Sequence, residues 1–555
     1  MSFWTDLLQF LGLRRPRPAP PPQPRQRPVA ILAVGRPGAE VSLAKGPEAP
    51  DFAGVSWKAT NADGYYCCFE LPAGREIPVW VLIRETEEYE PYAHPFVIPP
   101  TGNHDLICGE FSDPAPHQHV LPPSVRKFRP RRGLVGADGG SFVDGQGRYH
   151  ALGTTLFWAG WGYRHDRARL EQNLAYIAKA GIDYIRVLGE VGPGSGWEDR
   201  QVDPGWPDYD QVVAGLTDLA YDKYGLRVEW SIFGGIGHSQ TAASREQLVR
   251  RMAAMARARP HKVQHFEIAN EGWQTGFDGE AGIAEMRALG SIARGSGHLV
   301  ALTAPTTPDY AKALYGGSAA NLLTMHFDRS WNGTGREWRP VRQAWEVQFL
   351  EKTPRCWTSN EPIGPNSSVT ADDDPLRIAM SAAITWLCGG AGYVLHTGAG
   401  IRGRDDYHPV GGQRPPNFWQ TNNIEQILSG LRTVRTLIPV GIQNWSRHNS
   451  NDRFPQYPFD TSLLVAAIDR EDLLRAYAAT DGAEFVVAPI RVRAQVEFRA
   501  RSSMHVEMFE PLTGRLLNTW DLKTGQSLTV GAENVAVILR GSFTHDVPGG
   551  GGARA

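Results

Sequence analysis

The sequence predicts an α/β protein built on a central TIM (β/α)8 barrel with a β-sandwich domain on each side. Three observations carry that expectation. From residue 133 to 445, short apolar runs alternate with amphipathic stretches at intervals of roughly 30 to 40 residues, the rhythm of parallel β/α units. Eight such runs can be drawn, the number that closes a barrel. No GxGxxG or GxxxxGKS/T phosphate loop follows any of them, which favours the barrel over an open doubly wound sheet.

The chain begins MSFWTDLLQFLGLRR, an apolar stripe interrupted by Asp6 that lacks a basic leader and a small-residue cleavage site. No clear signal peptide is therefore read, and the compartment stays open. Arg14 to Pro28 is Pro-rich and so stiff and extended, because proline fixes φ and removes a donor. Residues 1–28 are thus an arm, either a disordered tail or a docking helix for a protein partner. Across 29–123, alternating apolar runs separated by turn residues read as a β-sandwich. With Gly38-Ala39 before a strand and the turn Asn61-Ala62-Asp63-Gly64-Tyr65, this segment resembles the transthyretin-like carboxypeptidase regulatory-like domain. The resemblance implies an accessory or spacer module.

A Pro-rich connector holding His117, His119 and RKFRPRRG leads into the barrel domain, 133–445. Its strands are expected in RYHALGTTLFWAG, GIDYIRVLG, LRVEWSIFGG, KVQHFEIAN, HLVALTAP, NLLTMHF, PRCWTSNE and GYVLHTG. Between the second and third, Val212, Val213, Leu216, Leu219 and Ala220 recur at helical spacing until Gly225 stops them. After the third, Ser244-Arg245-Glu246-Gln247 reads as a capping box that opens a helix. From 460 to 545 short strands return (TSLLVAAIDR, LLRAYAAT, EFVVAPI, AQVEFRA, MHVEMFEP, LLNTWDL, NVAVILRG), an antiparallel β-sandwich. Residues 546–555 form a Gly-rich tail unable to pack a core.

Composition narrows the function. A net charge of −2 and the lack of a long basic run interleaved with aromatics make nucleic acid an unexpected partner. The five cysteines lack zinc-like spacing, so no zinc site is expected of them, and the two-carboxylate chemistry that two strand ends suggest requires no metal or other cofactor. No run of about 18 apolar residues could span a membrane.

Two of the expected strands end alike. The fourth ends on Asn270-Glu271 and the seventh on Asn360-Glu361. Reacting groups of such barrels sit at the C-terminal ends of strands, and strands three positions apart face each other across the mouth. Glycosidic hydrolysis needs one carboxyl group to protonate the leaving oxygen and a second to attack or to activate water. A separation of about 5 to 5.5 Å selects retention. Twelve of the 17 tryptophans lie between Trp158 and Trp419, many in expected loops, including Trp161, Trp197, Trp331, Trp338 and Trp419. A Trp-rich rim suits sugar stacking, with Trp273 beside Glu271 the first candidate. The loop GIRGRDDYHPVGGQRPPNFWQ is expected to wall the cleft, and its Asp405 and His408 have no converging ligand set.

With these pairs in these ordinal positions, the barrel resembles the clan A glycoside hydrolases, family 5 and its relatives especially. The resemblance implies that Glu271 is the acid/base, Glu361 the nucleophile, and Asn270 a partner of the sugar 2-hydroxyl in a β-linked oligo- or polysaccharide. Arg186, in GIDYIRVLG, matches a second-strand arginine that keeps the nucleophile charged; His326, in LLTMHFDRS, matches a sixth-strand histidine. Two positions depart from the pattern. Asp328 stands where a tyrosine follows that histidine, and His396 where the eighth strand carries a tryptophan platform. The departures, with the Pro-rich arm, motivate a rival reading: a catalytically silent carbohydrate-binding barrel in a larger assembly. A transglycosylase is a further rival, sharing the residues but excluding water from the intermediate.

Overall fold

The computed structural model describes residues 130–544 except 195–196, 304–307, 328, 330–336, 348–352, 368–371, 410–411, 450–457, 460–474, 493–494 and 532, and, further toward the N-terminus, the strands named next with a few flanking residues. The chain divides into two compact units, Met1–Lys127 and Phe128–Ala555. In the first, Lys58–Ala59, Glu40–Lys45, Ile77–Arg84 and Tyr92–Ile98 form a four-stranded antiparallel sheet in that spatial order. Val41, Val79, Val81 and Ile83 supply its buried face. Leu32–Ala33 lies between Tyr65–Tyr66 and Leu106–Ile107, and Gln26–Val29 pairs with Phe69–Pro72.

The second unit holds the barrel. Its strands are β1 (Ala151–Thr155), β2 (Tyr184–Glu190), β3 (Arg227–Phe233), β4 (Val263–Ala269), β5 (Val300–Ala301), β6 (Leu323–Met325), β7 (Trp357–Ser359) and β8 (Gly392–Leu395). All pair in parallel, in the order β5-β4-β3-β2-β1-β8-β7-β6, and each falls inside the segment expected for it except β2, which runs one residue further, to Glu190. The β5–β6 seam is closed just outside the ladder. Backbone N–H groups of Asn321 and Leu322 donate to the Val300 carbonyl at 3.1 and 3.2 Å, and the Val300 N–H donates to Asn321 Oδ1 at 2.9 Å.

The strands are buried on both faces, yet the two faces differ chemically. Val228, Trp230 and Ile232 of β3 and Phe266 and Ile268 of β4 join the apolar layer beneath the helices. The alternate residues, Glu229, Ser231, His265 and Glu267, are fully buried and polar. Their period of two means that this polar parity lines the barrel interior. Burial of such groups is costly unless they are paired, and Arg186, Ser231, Thr324 and Asn360 pair with Glu229 and Glu267, while Phe142, Tyr149, Ala151, Tyr184, Ala301 and Val394 form a separate apolar cluster.

Helix α1 (Tyr209–Asp218) buries Val212, Val213 and Leu216 as expected, and a π-helical turn, Leu219–Lys223, carries the chain to Gly225. Helix α2 (Ala242–Arg257) starts a turn earlier than the expected capping box. Thr241 is the N-cap and accepts from the Ser244 N–H, while the Ser244 hydroxyl takes the place of a Glu or Gln at the third position. Thr241 takes the cap because its hydroxyl accepts from the Ser244 N–H, so the helix gains a further turn, 242–244.

The C-terminal strands form an antiparallel sheet in the order Ser446–Asn449, Arg475–Thr480, Glu484–Ile490, Ile538–Phe543, Met504–Phe509 and Leu516–Leu522, with Val496–Arg499 pairing Ser527–Val530 separately. Alternation decides their packing. Tyr477, Ala479, Val486, Ala488 and Ile538 join the barrel's apolar layer, while Ala476, Ala478, Phe485, Val487 and Leu539 form a second core with Phe498 and Val530. TSLLVAAIDR lies outside the described residues.

Candidate active site

Both glutamates stand at the C-terminal mouth of the barrel, each presented by a local break in its strand. After β4, the Asn270 N–H still donates to Phe233 O at 2.8 Å, as a strand residue would. Glu271 then takes φ +46°, a left-handed backbone costing a non-glycine residue roughly 1 kcal/mol. The turn is held by Gln274 N–H donating to Glu271 O at 2.7 Å, by the Thr275 hydroxyl donating to Asn270 O, and by Gly272 N–H donating to Thr303 Oγ1. After β7, the loop leaving Glu361 runs hard against β8: a Cβ on Gly364 would lie 1.8 Å from the His396 carbonyl. Only glycine permits that approach.

One carboxylate oxygen of Glu271, one of Glu361 and a ring nitrogen of His326 lie within 4.8 Å of one another. His326 links the two acids, with Nδ1 at 3.0 Å from Glu271 Oε1 and Nε2 at 3.5 Å from Glu361 Oε1. Three such ligands could in principle hold a cation. Both Glu361 oxygens, however, already accept from guanidinium groups, so the donor set favours positive side chains over an ion.

Arg186 is the hub beneath them. Fully buried on β2, it donates from Nη1 to Glu361 Oε1 at 2.8 Å, and from Nη2 to Glu267 Oε2 at 2.6 Å and Asn270 Oδ1 at 2.8 Å. Its Nε lies 3.2 Å from Glu229 Oε1. Burial alone would lower the arginine's proton affinity, but the facing charges of Glu267, Glu361 and Glu229 more than reverse that. Ser231 and Thr324 hydroxyls complete Glu267, at 2.5 and 2.7 Å.

The two Asn-Glu pairs therefore differ in use. Asn270 faces the cavity, whereas Asn360 turns inward, donating to Glu229 Oε1 at 2.7 Å and accepting from the Thr358 hydroxyl at 2.5 Å.

Arg329 went unnoticed in the sequence. Its Nη2 donates to Glu361 Oε2 at 3.0 Å, from a position three residues beyond His326 and next to Asp328, which itself lies outside the described residues. Burial pushes the Glu361 carboxyl up; the groups around it, His326, His396, Arg329 and Arg186, outweigh burial and hold it well below the ordinary carboxylate range. Burial also holds His396 well below its usual value, and thus neutral, which leaves His326 and the two guanidinium groups as the neighbours that lower Glu361.

A cavity of about 440 Å³ opens above these groups. Asn270, Glu271, Glu361 and His396 line it with Phe157, Trp197, Leu188, Ile236 and Ile401. Phe157 and Trp197 pack against each other at 5.5 Å and form its aromatic wall. Trp273, the first aromatic candidate, does not line it: its ring packs edge-on against Tyr310 at 5.7 Å. Adjacency to Glu271 misled because the left-handed turn sends successive side chains apart. His396 does reach the cavity, its Nε2 3.7 Å from Glu361 Oε2 and its Nδ1 2.9 Å from the Thr155 hydroxyl. The loop after β8 contributes Ile401, and its Arg404 pairs at 2.8 Å with Asp199, two residues from Trp197.

No protein-family model matches the sequence, and no curated protein does. Solved structures do resemble it. A glycoside hydrolase family 5 protein from Bacteroides vulgatus ATCC 8482 superposes with TM-score 0.54 at 13% identity, over 75% of this chain and 93% of that one. A structure described as a glycoside hydrolase superposes with TM-score 0.51 at 14% identity, over 75% of this chain and 98% of the other. At such identities the likeness is one of fold.

Proposed function

We propose that this protein is a glycoside hydrolase that cleaves β-linked O-glycosidic bonds with retention. The observation that carries the reading is that one carboxylate oxygen of Glu271 and one of Glu361 lie within 4.8 Å of each other across an open cavity, nearer the short spacing that suits a covalent intermediate than the wider one of inverting pairs.

The groups divide the work by environment. Glu361, held ionised beneath the cavity, attacks the anomeric carbon while Glu271, 23% exposed at the rim, gives its proton to the departing oxygen. Glu271 then takes a proton from water, which attacks the same carbon and returns the bonding pair to Glu361. His326, touching both acids, is the path by which their charges sense each other. Asn270, oriented by Arg186, is the amide suited to a sugar 2-hydroxyl, and Phe157 and Trp197 offer faces for the ring. No step calls for a cofactor. We read the N-terminal sheets as an accessory module.

The test is a panel of activated aryl β- and α-glycosides with the wild type, Glu361→Gln and Glu271→Gln. Turnover of one β-glycoside, lost at least a thousandfold in Glu361→Gln and giving the β-anomer first by NMR, is expected. Release of the α-anomer first would refute retention.

A further inference from the structure

We propose that Arg329 is a positioning residue that sets how the reaction divides between formation and breakdown of the glycosyl-Glu361 intermediate, by holding the Oε2 atom of that glutamate. The inference rests on the reading of Glu361 as nucleophile.

The argument begins with charge. Arg186 is shared among Glu229, Glu267 and Glu361, so this one guanidinium faces three buried carboxylates. Uncompensated charge is costly at such burial, and a second guanidinium on Glu361 relieves it. Arg329, only 4% exposed, supplies it through Oε2, leaving Oε1 to Arg186. Glu361 thus accepts a charge-assisted bond on each oxygen. The other groups facing it are His326 from beyond β6, His396 from just beyond β8 and Glu271 from beyond β4, while Glu267 shares Arg186 with it.

The kinetic consequence follows from where the negative charge resides. In the first step a Glu361 oxygen bonds to the anomeric carbon, the glycosidic C–O bond breaks, and the carboxylate becomes a neutral ester. In the second, water adds, the ester C–O bond breaks, and its electron pair returns to Glu361. A guanidinium stabilises the carboxylate more than the ester. Arg329 therefore restrains the first step and assists the second, making Glu361 a better leaving group and keeping the intermediate from accumulating.

Arg329→Gln and Arg329→Lys test this on the dinitrophenyl glycoside of whichever sugar the wild type accepts. In Arg329→Gln we expect kcat to fall by about tenfold and KM to fall further, so that kcat/KM rises modestly, with a burst of one equivalent of dinitrophenolate. Arg329→Lys, which keeps the positive charge, should remove most of the burst. A fall in kcat/KM with KM unchanged and no burst, or no change at all, overturns the proposal. One readout needs no turnover: the carboxyl carbon of Glu361 in glutamate-labelled protein, assigned by its absence in Glu361→Gln, should titrate about one pH unit higher in Arg329→Gln. An unshifted titration overturns the role of Arg329 even in an active enzyme. A wild type inert on every glycoside, with the shift present, sinks the hydrolase reading and the partitioning with it, but leaves the hold of Arg329 on Glu361 standing.

Discussion

Replacing Arg186 with methionine should make the stability of this protein fall as pH rises, where the wild type stays level. Arg186 is fully buried and engages Glu267 at 2.6 Å, Glu361 at 2.8 Å and Glu229 at 3.2 Å. Without it, Glu267 and Glu361 keep their burial and lose a facing charge; the Glu361 carboxyl rises toward the ordinary value, and that of Glu267, whose largest opposing charge is Arg186, rises past the unfolded value of about 4.3. A rise of about one unit in each of these two groups costs roughly 3 kcal/mol at neutral pH, at the lower end of the 3–5 kcal/mol typical of breaking a buried ion pair. Between about pH 4.3 and the raised Glu267 value the folded state then binds more protons than the unfolded state, so stability declines with rising pH. In the wild type the sign is opposite. Glu361 and Glu267 sit below their ordinary values, so their contribution is complete above about pH 4.3 and is lost only on further acidification. Urea denaturation followed by tryptophan fluorescence at about pH 7 and pH 4.5 measures both. The loss in Arg186→Met should be about 3 kcal/mol at the higher pH and about 1 kcal/mol smaller at the lower. An equal loss at the two pH values would show that Arg186 acts through packing and not through charge.

Four further changes separate cleft from scaffold. Trp197→Ala, on the cavity wall, should raise KM for an oligosaccharide about tenfold, while Trp273→Ala, packed on Tyr310, should leave it within about twofold; the reverse order would return Trp273 to the cleft. Gly364→Ala must push its loop off the His396 carbonyl, so kcat should drop about a hundredfold while stability falls by only 1–3 kcal/mol, and unchanged kinetics would show that the loop does not position Glu361. Asp144 accepts from Arg131 twice at 2.8 Å and from Arg227 at 2.9 Å. Burial raises its carboxyl, but those donors and the Gln146 N–H hold it below the ordinary value. Asp144→Asn should therefore cost about 2 kcal/mol at neutral pH, a loss that shrinks as pH falls below about 4; calorimetry across that range checks it.

The sequence by itself determined the ordering of elements and the two glutamates. Eight strands were legible because each is a short apolar run cut off by Gly, Pro or a polar pair, and hydrophobic period is a local property. Glu271 and Glu361 were legible for the same reason, as carboxylates ending such runs. Only the tertiary structure decided what surrounds them. Arg329 looks in sequence like any loop arginine, and its pairing with Glu361 joins residues 32 apart. Asn270 and Asn360 occupy identical dipeptides, yet one faces the cavity and the other Glu229, because side-chain direction depends on the turn that follows. Trp273 was chosen by adjacency and Trp197 serves the wall, since a left-handed residue at 271 turns the chain away from its neighbour. Apolar patterning is written along the chain; the balance of buried charge is a sum over facing strands, and only folding brings its terms together.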